Sequence, residues 1–340
     1  MNEFREIWCE LEKDSVDGKV NGILRRRIFP NSAFNLFLAF QIQKRQRMLH
    51  IKVTLSSATK LKSPPQSKGF EVKIVVFPDD RENQVTIELV LTSPQYEDIF
   101  DTLIGDILNY ITLQKDENLM VNSFLDRLLK WQHFLDRHGS DGLSEEMQKG
   151  LYGELWCLRK YLIPSKGLNK ALSSWEGPYK SNHDFEFENK AIEMKVTTSK
   201  NQQKIMISNE LQLDDKGLNA LFLVHLSLNE VSGSGETLNE IVHFLRGMCT
   251  ADVESMNLLE KGLFNSGYLD THVEKYNSKG FIERSQNIFT VKNGFPRIVE
   301  NDLMNGVGDV KYSINISECM HHQVDESLFL PAIRREVDDI

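Results

Sequence analysis

The sequence predicts a mixed α/β (α+β) fold, with a mixed central sheet flanked by helices, and three observations lead to that prediction. Four runs in the first third of the chain are apolar or alternate between apolar and polar residues, as strands do: 34–42, 48–55, 70–77 and 85–91. Residues 144–162 instead place apolar side chains three or four positions apart, which is the spacing of a helix face. A β-hairpin is predicted at 183–197, and further strands at 204–208 and 220–228. This order of helix, hairpin and strands favours a small sheet covered by helices.

Turn-forming stretches divide the chain into three predicted regions. Residues 1–140 form a β-rich N-terminal region that ends with two amphipathic helices. Residues 141–235 contain the helix and the hairpin and are the predicted core, which follows the loop His138-Gly-Ser-Asp-Gly142. Residues 236–340 are predicted to form an α+β C-terminal region of helices and β-hairpins.

The composition predicts a protein without a membrane span. None of the apolar runs in the 340 residues approaches the ~20 residues that a membrane helix needs. The first residues lack the apolar stretch of a signal peptide, and the four cysteines are scattered without metal-ligand spacing. We therefore expect a cytoplasmic protein with reduced thiols.

The net charge of −9 is unfavourable for a protein that binds nucleic acid. Contacts of lysine and arginine with phosphates supply most of the non-specific affinity for DNA, so a DNA-binding role needs local basic surfaces. The candidates are Arg25-Arg26-Arg27, Lys44-Arg45-Gln46-Arg47 and three lysines in and beside the hairpin, Lys190, Lys200 and Lys204. The alternative is that the first two clusters are solvated charges that balance the 49 acidic residues.

The hairpin His183-Asp-Phe-Glu-Phe-Glu-Asn-Lys-Ala-Ile-Glu-Met-Lys-Val-Thr197 is the most informative stretch of the chain. Side chains alternate between faces along a strand, so Glu193 and Lys195 share the polar face of the second strand, and Asp184 lies on the polar face of the first. A turn at Asn189-Lys190 puts Asp184 opposite Lys195, whereas a register shifted by one pair puts it opposite Glu193. Either register brings the same three groups together.

Two carboxylates and an ammonium group held this close favour a site for a divalent metal ion. Mg²⁺ prefers oxygen ligands and retains several waters, and it polarises a phosphate and lowers the pKa of a bound water. Lys195 is then a candidate for handling that water and for stabilising the developing charge. This interpretation predicts a nuclease, and the competing interpretation is the solvated charged face of an ordinary hairpin.

The helix before the hairpin carries a further candidate, Glu154. The apolar stripe of this helix consists of Met147, Leu151, Leu155, Leu158 and Leu162. Glu154 projects into the middle of that stripe, where a carboxylate is costly to bury without a partner. Glu154 therefore either pairs with an arginine or lysine at the edge of the core or points at the same metal ion. Gly150 and Gly153 predict that the helix lies close against a strand.

The order of Glu154, Asp184 and Glu193-Met-Lys195 resembles the motif of the PD-(D/E)XK nuclease superfamily, whose fold is restriction-endonuclease-like. More narrowly, the chain resembles the bacterial family known as PD-(D/E)XK motif proteins. The matching stretches are Gly150-Leu-Tyr-Gly-Glu-Leu-Trp156, Trp175-Glu-Gly-Pro178, His183-Asp-Phe185, Ile192-Glu-Met-Lys-Val-Thr-Thr198, Ile205-Met-Ile-Ser-Asn-Glu-Leu-Gln-Leu213 and Gly294-Phe-Pro-Arg-Ile298. His183 stands where the superfamily name has proline, at a position that varies widely.

The resemblance implies a Mg²⁺-dependent DNA endonuclease in which Mn²⁺ can substitute. Asp184 and Glu193 would bind the metal, and Lys195 would serve the water. Glu154 would complete the site as an auxiliary ligand. Candidates for contacts with DNA are Lys190, Lys200, Lys204 and Gln212.

The resemblance also implies a setting, which is bacterial restriction or anti-phage defence. Partners in such a system include a methyltransferase and an ATPase or helicase, and double-strand cutting with one site per chain generally needs a homodimer. The alternative is a non-catalytic DNA-binding or scaffold subunit that retains the nuclease fold.

Overall fold

The chain folds as two compact units, residues 1–142 and 143–340. The computed structural model describes residues 2–17, 22–61, 63–199 and 204–334. The predicted mixed α+β class, with a mixed sheet flanked by helices, is confirmed. Among the helices of these residues, none is both long enough and apolar enough to cross a membrane.

The first unit contains a five-stranded antiparallel sheet and four helices. Its strands are β1 (Ile23–Ile28), β2 (Asn35–Gln41), β3 (Gln46–Thr54), β4 (Phe70–Val75) and β5 (Gln84–Leu91). Its helices are α1 (Asn2–Asp17), α2 (Leu55–Ala58), α3 (Glu97–Ile111) and α4 (Glu117–His138). The strand order is β1-β2-β3-β5-β4. The four predicted strands correspond to β2, β3, β4 and β5, because each has the apolar face that a half-buried sheet needs.

The sequence prediction omits α1 and β1. These two elements contain or contact residues of the two predicted basic clusters. Arg25-Arg26-Arg27 lies within β1, so its side chains are divided between the two faces of the sheet. Arg26 forms an ion pair with Glu10 of α1. Arg47 is 7% exposed and donates to Glu12 of α1 at 3.0 Å. Arg26 and Arg47 thus pair with acidic residues, as the alternative interpretation of these two clusters expects.

The second unit contains the predicted helix and hairpin. Its strands are β6 (Phe185–Phe187), β7 (Lys190–Thr197), β8 (Lys204–Ile207), β9 (Ala220–Val231), β10 (Glu236–Thr237), β11 (Gly280–Val291) and β12 (Tyr312–Asn315). Its helices are α5 (Glu145–Cys157), α6 (Ile163–Lys166), α7 (Leu168–Ser173), α8 (Leu238–Cys249), α9 (Val253–Ser266), α10 (Val273–Tyr276), α11 (Ile316–Cys319) and α12 (Glu326–Ile333). A π-helical turn over Leu158–Leu162 continues α5.

The main sheet of the second unit is mixed, with the strand order β10-β11-β9-β7-β6. β7 runs parallel to β9, and the other neighbours are antiparallel. β8 and β12 form a separate two-stranded sheet. The segment after residue 236, predicted as a third region, supplies β10 and β11 to the main sheet, so the hairpin β6–β7 belongs to a sheet built from both parts of the unit.

Apolar clusters cover both faces of β7 and so position its polar residues. Ile192 and Met194 pack in one cluster with Leu155 of α5. Ala191 packs in a second cluster with Ile205 of β8. The face that alternation assigns to Glu193 and Lys195 is therefore the face of Ala191. Protein covers this face, which contradicts the competing interpretation of a solvated charged face.

Candidate active site

The turn of the hairpin is formed by Glu188 and Asn189. Their φ angles are 50° and 59°, and two positive φ angles are what a two-residue hairpin turn requires. Phe187 pairs with Lys190 across the turn. The predicted turn at Asn189-Lys190 is therefore wrong, and the alternative register, shifted by one pair, is the one that forms. It leaves the asparagine, which tolerates positive φ well, inside the turn.

Asp184 precedes β6, and continuing the register places it opposite Glu193. Its backbone carbonyl accepts hydrogen bonds from the amides of Glu176 and Gly177, at 2.9 and 3.0 Å. Its carboxylate Oδ2 accepts from the amide of Met194 at 2.7 Å. These bonds hold the Asp184 carboxylate against the second strand of the hairpin.

Glu193 and Lys195 form the ion pair of the site. Lys195 Nζ lies 2.7 Å from Glu193 Oε1 and donates to Gln212 Oε1 at 3.0 Å. The same oxygen of Gln212 accepts from the amide of Ser208 at 2.8 Å, which fixes the amide group. Glu193 is 1% exposed, and within the described residues neither of its oxygens receives a well-aligned hydrogen bond. The buried charge of Glu193 is therefore only partly compensated.

Glu154 reaches the same place from α5. Its Oε2 accepts a hydrogen bond from the indole N–H of Trp175 at 2.7 Å. The hydrogen-bond donor to Glu154 is therefore an indole, and not the arginine or lysine that the alternative prediction expected. A methyl group on Gly177 would lie 2.8 Å from Glu154 Oε2 and 3.0 Å from Asp184 Oδ1. The two carboxylates thus converge on a point of the backbone where only glycine leaves room for them.

Glycines let two helices approach the site closely. A methyl group on Gly153 would collide with a valine of β7, so α5 lies against that strand as predicted. Around Gly150 no described atom comes within 4 Å of such a methyl group, so the prediction is wrong for that residue. Gly262 of α9 lies against the ring of Trp175 in the same close manner. This contact fixes the indole that holds Glu154.

Burial raises the pKa of all three carboxyl groups, and the charge of Asp184 raises the pKa of the other two further. Burial, followed by the charge of Asp184, raises the pKa of Glu193 to about 8. Burial and Asp184 also raise the pKa of Glu154 well above its usual value. Burial raises the pKa of Asp184, although Lys195 opposes this. Burial would lower the pKa of Lys195, but Glu193 and Asp184 outweigh it and raise that pKa. At neutral pH burial therefore favours the protonated forms of Glu154 and Glu193, and their ionised forms together with Asp184 would carry more negative charge than one lysine compensates.

The donor set fits a hard divalent cation. In the part of the chain that is described, no three His, Cys, Asp or Glu side chains lie close enough in their present positions to hold a metal ion. Asp184 and Glu193 nevertheless supply carboxylate oxygens, the ligands that Mg²⁺ prefers. The oxygens of Glu193 lack well-aligned donors, as expected of atoms that await a cation. Glu154 supplies a third carboxylate.

A comparison with known protein families matches residues 4–317 to the family described as "Putative PD-(D/E)XK family member, (DUF4420)". The chain belongs to this family. Searches of curated proteins and of solved structures each found no match. The resemblance read from the order of Glu154, Asp184 and Glu193-Met-Lys195 is thereby confirmed.

Three of the four residues predicted to contact DNA lie in the part of this PD-(D/E)XK protein that the structure describes. Gln212 lies within the site as a partner of Lys195. Lys190 begins β7 at the tip of the hairpin, and Lys204 begins β8 and is exposed. Lys200 lies outside the described residues. Their contacts with DNA stay predictions.

Sequence reasoning missed Trp175 and Gly177 as residues of the PD-(D/E)XK site. Both lie in the stretch Trp175-Glu-Gly-Pro178, which contributed to the family resemblance without a role being assigned to it. The available signal was its place in the chain, a few residues before Asp184 and β6. The hydrogen bond from Trp175 to Glu154 spans 21 residues, and no local pattern reports such a contact.

Proposed function

We propose that this PD-(D/E)XK protein is a Mg²⁺-dependent DNA endonuclease that hydrolyses phosphodiester bonds, with Mn²⁺ able to substitute. The observation that carries the proposal is the convergence of Glu154, Asp184 and Glu193 around a single lysine. Family membership supports a phosphodiesterase. A cluster with uncompensated buried acids is costly for a purely structural protein, and a cation-dependent reaction gives it a use.

Asp184 and Glu193 would hold the metal ion, and Glu154 would act as the auxiliary ligand. When bound, a divalent cation polarises the phosphate and lowers the pKa of an attacking water. The contribution of the chain is to fix the donor atoms beforehand. The amide of Met194 holds Asp184, and the indole of Trp175 holds Glu154.

Lys195 supplies a fixed positive charge beside the reacting groups. Its Nζ is held by Glu193 and Gln212, and the neighbouring carboxylates raise its pKa. As an ammonium group it donates hydrogen bonds to the water that attacks phosphorus or to a non-bridging phosphate oxygen, where negative charge develops. Hydrolysis then breaks the bond from phosphorus to the leaving oxygen and yields a phosphate monoester and a hydroxyl end.

We place this reaction in the cytoplasm, in a bacterial restriction or anti-phage defence system. A methyltransferase and an ATPase or helicase are the proposed partner proteins, and a homodimer is the proposed assembly for double-strand cutting. The net charge of −9 supports dependence on a partner, because the chain itself attracts DNA weakly.

The proposal is tested by incubating supercoiled plasmid with the purified chain in Mg²⁺ and in Mn²⁺, beside the Lys195→Ala variant. We expect nicking or linearisation by the parent chain, and loss of both in the variant. Equal cleavage by the two proteins would contradict the assignment of the site. Absence of cleavage by both, with DNA or partner binding unaltered by Lys195→Ala, would favour the non-catalytic scaffold.

A further inference from the structure

A cleft lies along β6, the edge strand of the main sheet, near the tip of the hairpin. It is lined by Lys166 of α6, Lys170 and Ser173 of α7, and Phe187 and Glu188 of the hairpin. None of these residues belongs to the carboxylate cluster or to the PD-(D/E)XK motif, so the cleft is separate from the site described above.

Lys166 is the buried cation of this cleft. Its side chain is 3% exposed, and its Nζ lies 4.0 Å from the centre of the Phe187 ring. Among the described carboxylates, Glu188 pairs with Lys166. Its Oε1 lies 3.6 Å from Lys166 Nζ, a distance too long for a hydrogen bond. The ammonium group is thus withdrawn from water with an aromatic face as its near neighbour and only a distant acid.

Two further lysines lie near Lys166. Lys190 pairs with Phe187 across the hairpin, so their side chains lie on the same face. Lys170 lines the cleft itself. Burial lowers the pKa of Lys166, and the charges of Lys190 and Lys170 lower it further, while Glu188 opposes them. Three cations therefore repel one another here, and an anion would relieve that repulsion.

The acidic residues of the cleft do not neutralise these three lysines. Glu186 accepts from the hydroxyl of Ser181 at 2.7 Å and lies 3.2 Å from Nδ1 of His183. Glu188 occupies the turn, and 46% of its side chain is exposed, so water screens its charge. With Lys190 beside it, the cleft has three lysines against Glu186 and Glu188, an excess of one positive charge in a protein whose total charge is −9.

The position of the cleft relates it to the carboxylate cluster. A strand rises about 3.3 Å per residue, so the part of the cleft at Glu186 begins about 7 Å along the chain from Asp184. A nucleic-acid strand that presents one phosphate to Asp184 and follows this edge brings a neighbouring phosphate to the lysines.

We propose that this cleft binds a backbone phosphate of the DNA strand that the carboxylate cluster cleaves, through Lys166, Lys170 and Lys190. The inference rests on the proposed nuclease function and adds where the substrate strand is held. Contacts of this kind position the strand without reading its sequence.

The test is fluorescence anisotropy with a labelled DNA duplex in Mg²⁺, with Lys195→Ala as the common background so that the duplex stays intact. Lys170→Ala and Lys166→Met each remove one phosphate contact, and methionine keeps the packing over Phe187. Each should weaken binding several-fold and make the dependence of log affinity on log salt shallower by about one. Glu188→Gln removes the competing acid and should tighten binding.

The matched control is Lys292→Ala, which removes an exposed lysine of the same unit outside the cleft. It should leave both the affinity and the salt dependence unchanged. If Lys170→Ala and Glu188→Gln, both near the surface and safe for folding, behave like this control, the inference is overturned whether or not Lys166→Met folds.

Two comparisons distinguish failure of the proposed phosphate-binding cleft from failure of the proposed nuclease function. Plasmid cleavage by the parent chain with unaltered DNA binding in the lysine variants would overturn the cleft and leave the nuclease proposal intact. Neither binding nor cleavage of DNA by the parent chain would overturn both. Duplexes with and without a 5′-phosphate should respond equally, and an effect confined to the phosphorylated ends would contradict an internal backbone site.

Discussion

Each unit of this protein contains one cation beside three carboxylates, and the two clusters behave differently. In the first unit Arg47 lies among Glu12, Glu97 and Asp101. In the second unit the cation is Lys195, and the acids are Glu154, Asp184 and Glu193. The groups are the same in number and sign, so the difference lies in geometry and burial.

The cluster in the first unit is compensated. The planar guanidinium of Arg47 reaches all three acids, with its closest contact 3.0 Å from Glu12. Of the acidic side chains, Glu97 is 42% exposed and Glu12 is 26% exposed. Burial raises the pKa of Asp101 to about 6, although Arg47 opposes this. The cluster therefore has the character of a structural ion-pair network.

The cluster in the second unit is not compensated. Lys195 contacts only Glu193 among its acids, while Glu154 and Asp184 rely on an indole and a backbone amide. The pKa of Glu193 rises to about 8. The comparison teaches that the number of charges does not identify a functional site. What identifies it is buried negative charge that the chain leaves for an outside cation.

The largest expected effect is a loss of cleavage activity when Lys195, the cation of the second unit, is replaced. Lys195→Ala should reduce plasmid cleavage by about 10²–10³-fold or more, because it removes a charge aimed at the reacting phosphate. Its far-ultraviolet circular dichroism should match that of the parent chain. Cleavage rates under single-turnover conditions measure the effect, and a loss below about tenfold would remove Lys195 from the proposed reaction.

The second prediction compares how much stability the protein loses when Arg47 or Lys195 is replaced. Arg47→Met should lower the free energy of unfolding of the first unit by about 3 kcal/mol, since the buried Asp101 loses its partner. Urea denaturation measures this loss. Lys195→Ala should cost less in metal-free buffer near pH 7, because Glu193, whose pKa is about 8, is largely protonated there and does not remain as a buried unpaired charge. Equal destabilisation by both variants would break the distinction between the clusters.

The dependence of stability on pH provides a third test. The raised pKa of Glu193, about 8, means that the folded state binds this proton more tightly than the unfolded state. In a chelating buffer, the unfolding free energy of the second unit should therefore fall by a few kcal/mol as pH rises from about 5 to 8. Mg²⁺ should offset the fall at pH 8, and Glu193→Gln should reduce it, leaving the part that comes from Glu154 and Asp184. A slope that survives Glu193→Gln unchanged would assign it elsewhere.

The smallest effect concerns the indole that holds Glu154. Trp175→Phe keeps an aromatic ring against Gly262 and removes only the N–H donor, so it should weaken Mg²⁺ binding several-fold. The first unit offers a matched control, because Trp131 Nε1 donates to Asp106 at the same 2.7 Å. Trp131→Phe should cost about 1 kcal/mol of stability, as for a lost hydrogen bond, without changing Mg²⁺ affinity. Titration calorimetry distinguishes the two variants.

Much of the site was predictable because it depends on local periodicity. Alternation along β7 assigned Glu193 and Lys195 to one face, and the two apolar clusters confirm that assignment. Helical spacing placed Glu154 beside the strands, and Gly153 makes the predicted close approach. These are properties of single elements, which a sequence carries within about ten residues.

The parts that were not predictable depend on contacts between distant residues or on one turn. The register required Glu188 and Asn189 to adopt positive φ, and glutamate gives no local signal for it. The bond from Lys195 to Gln212 spans 17 residues. The pairing of β9 with β11 joins segments about fifty residues apart, and this is why the sheet extends beyond the predicted core.

The most direct test of the central claim is Mg²⁺ titration calorimetry on the parent chain, on Asp184→Asn and on Asp101→Asn. The claim is that uncompensated carboxylates in the second unit form a cation site, whereas those in the first unit do not. We expect saturable binding by the parent chain and by Asp101→Asn. Asp184→Asn should bind weakly and melt at a higher temperature without metal, because a repulsive charge is gone. Unchanged Mg²⁺ affinity in Asp184→Asn, with a lower melting temperature, would contradict the account.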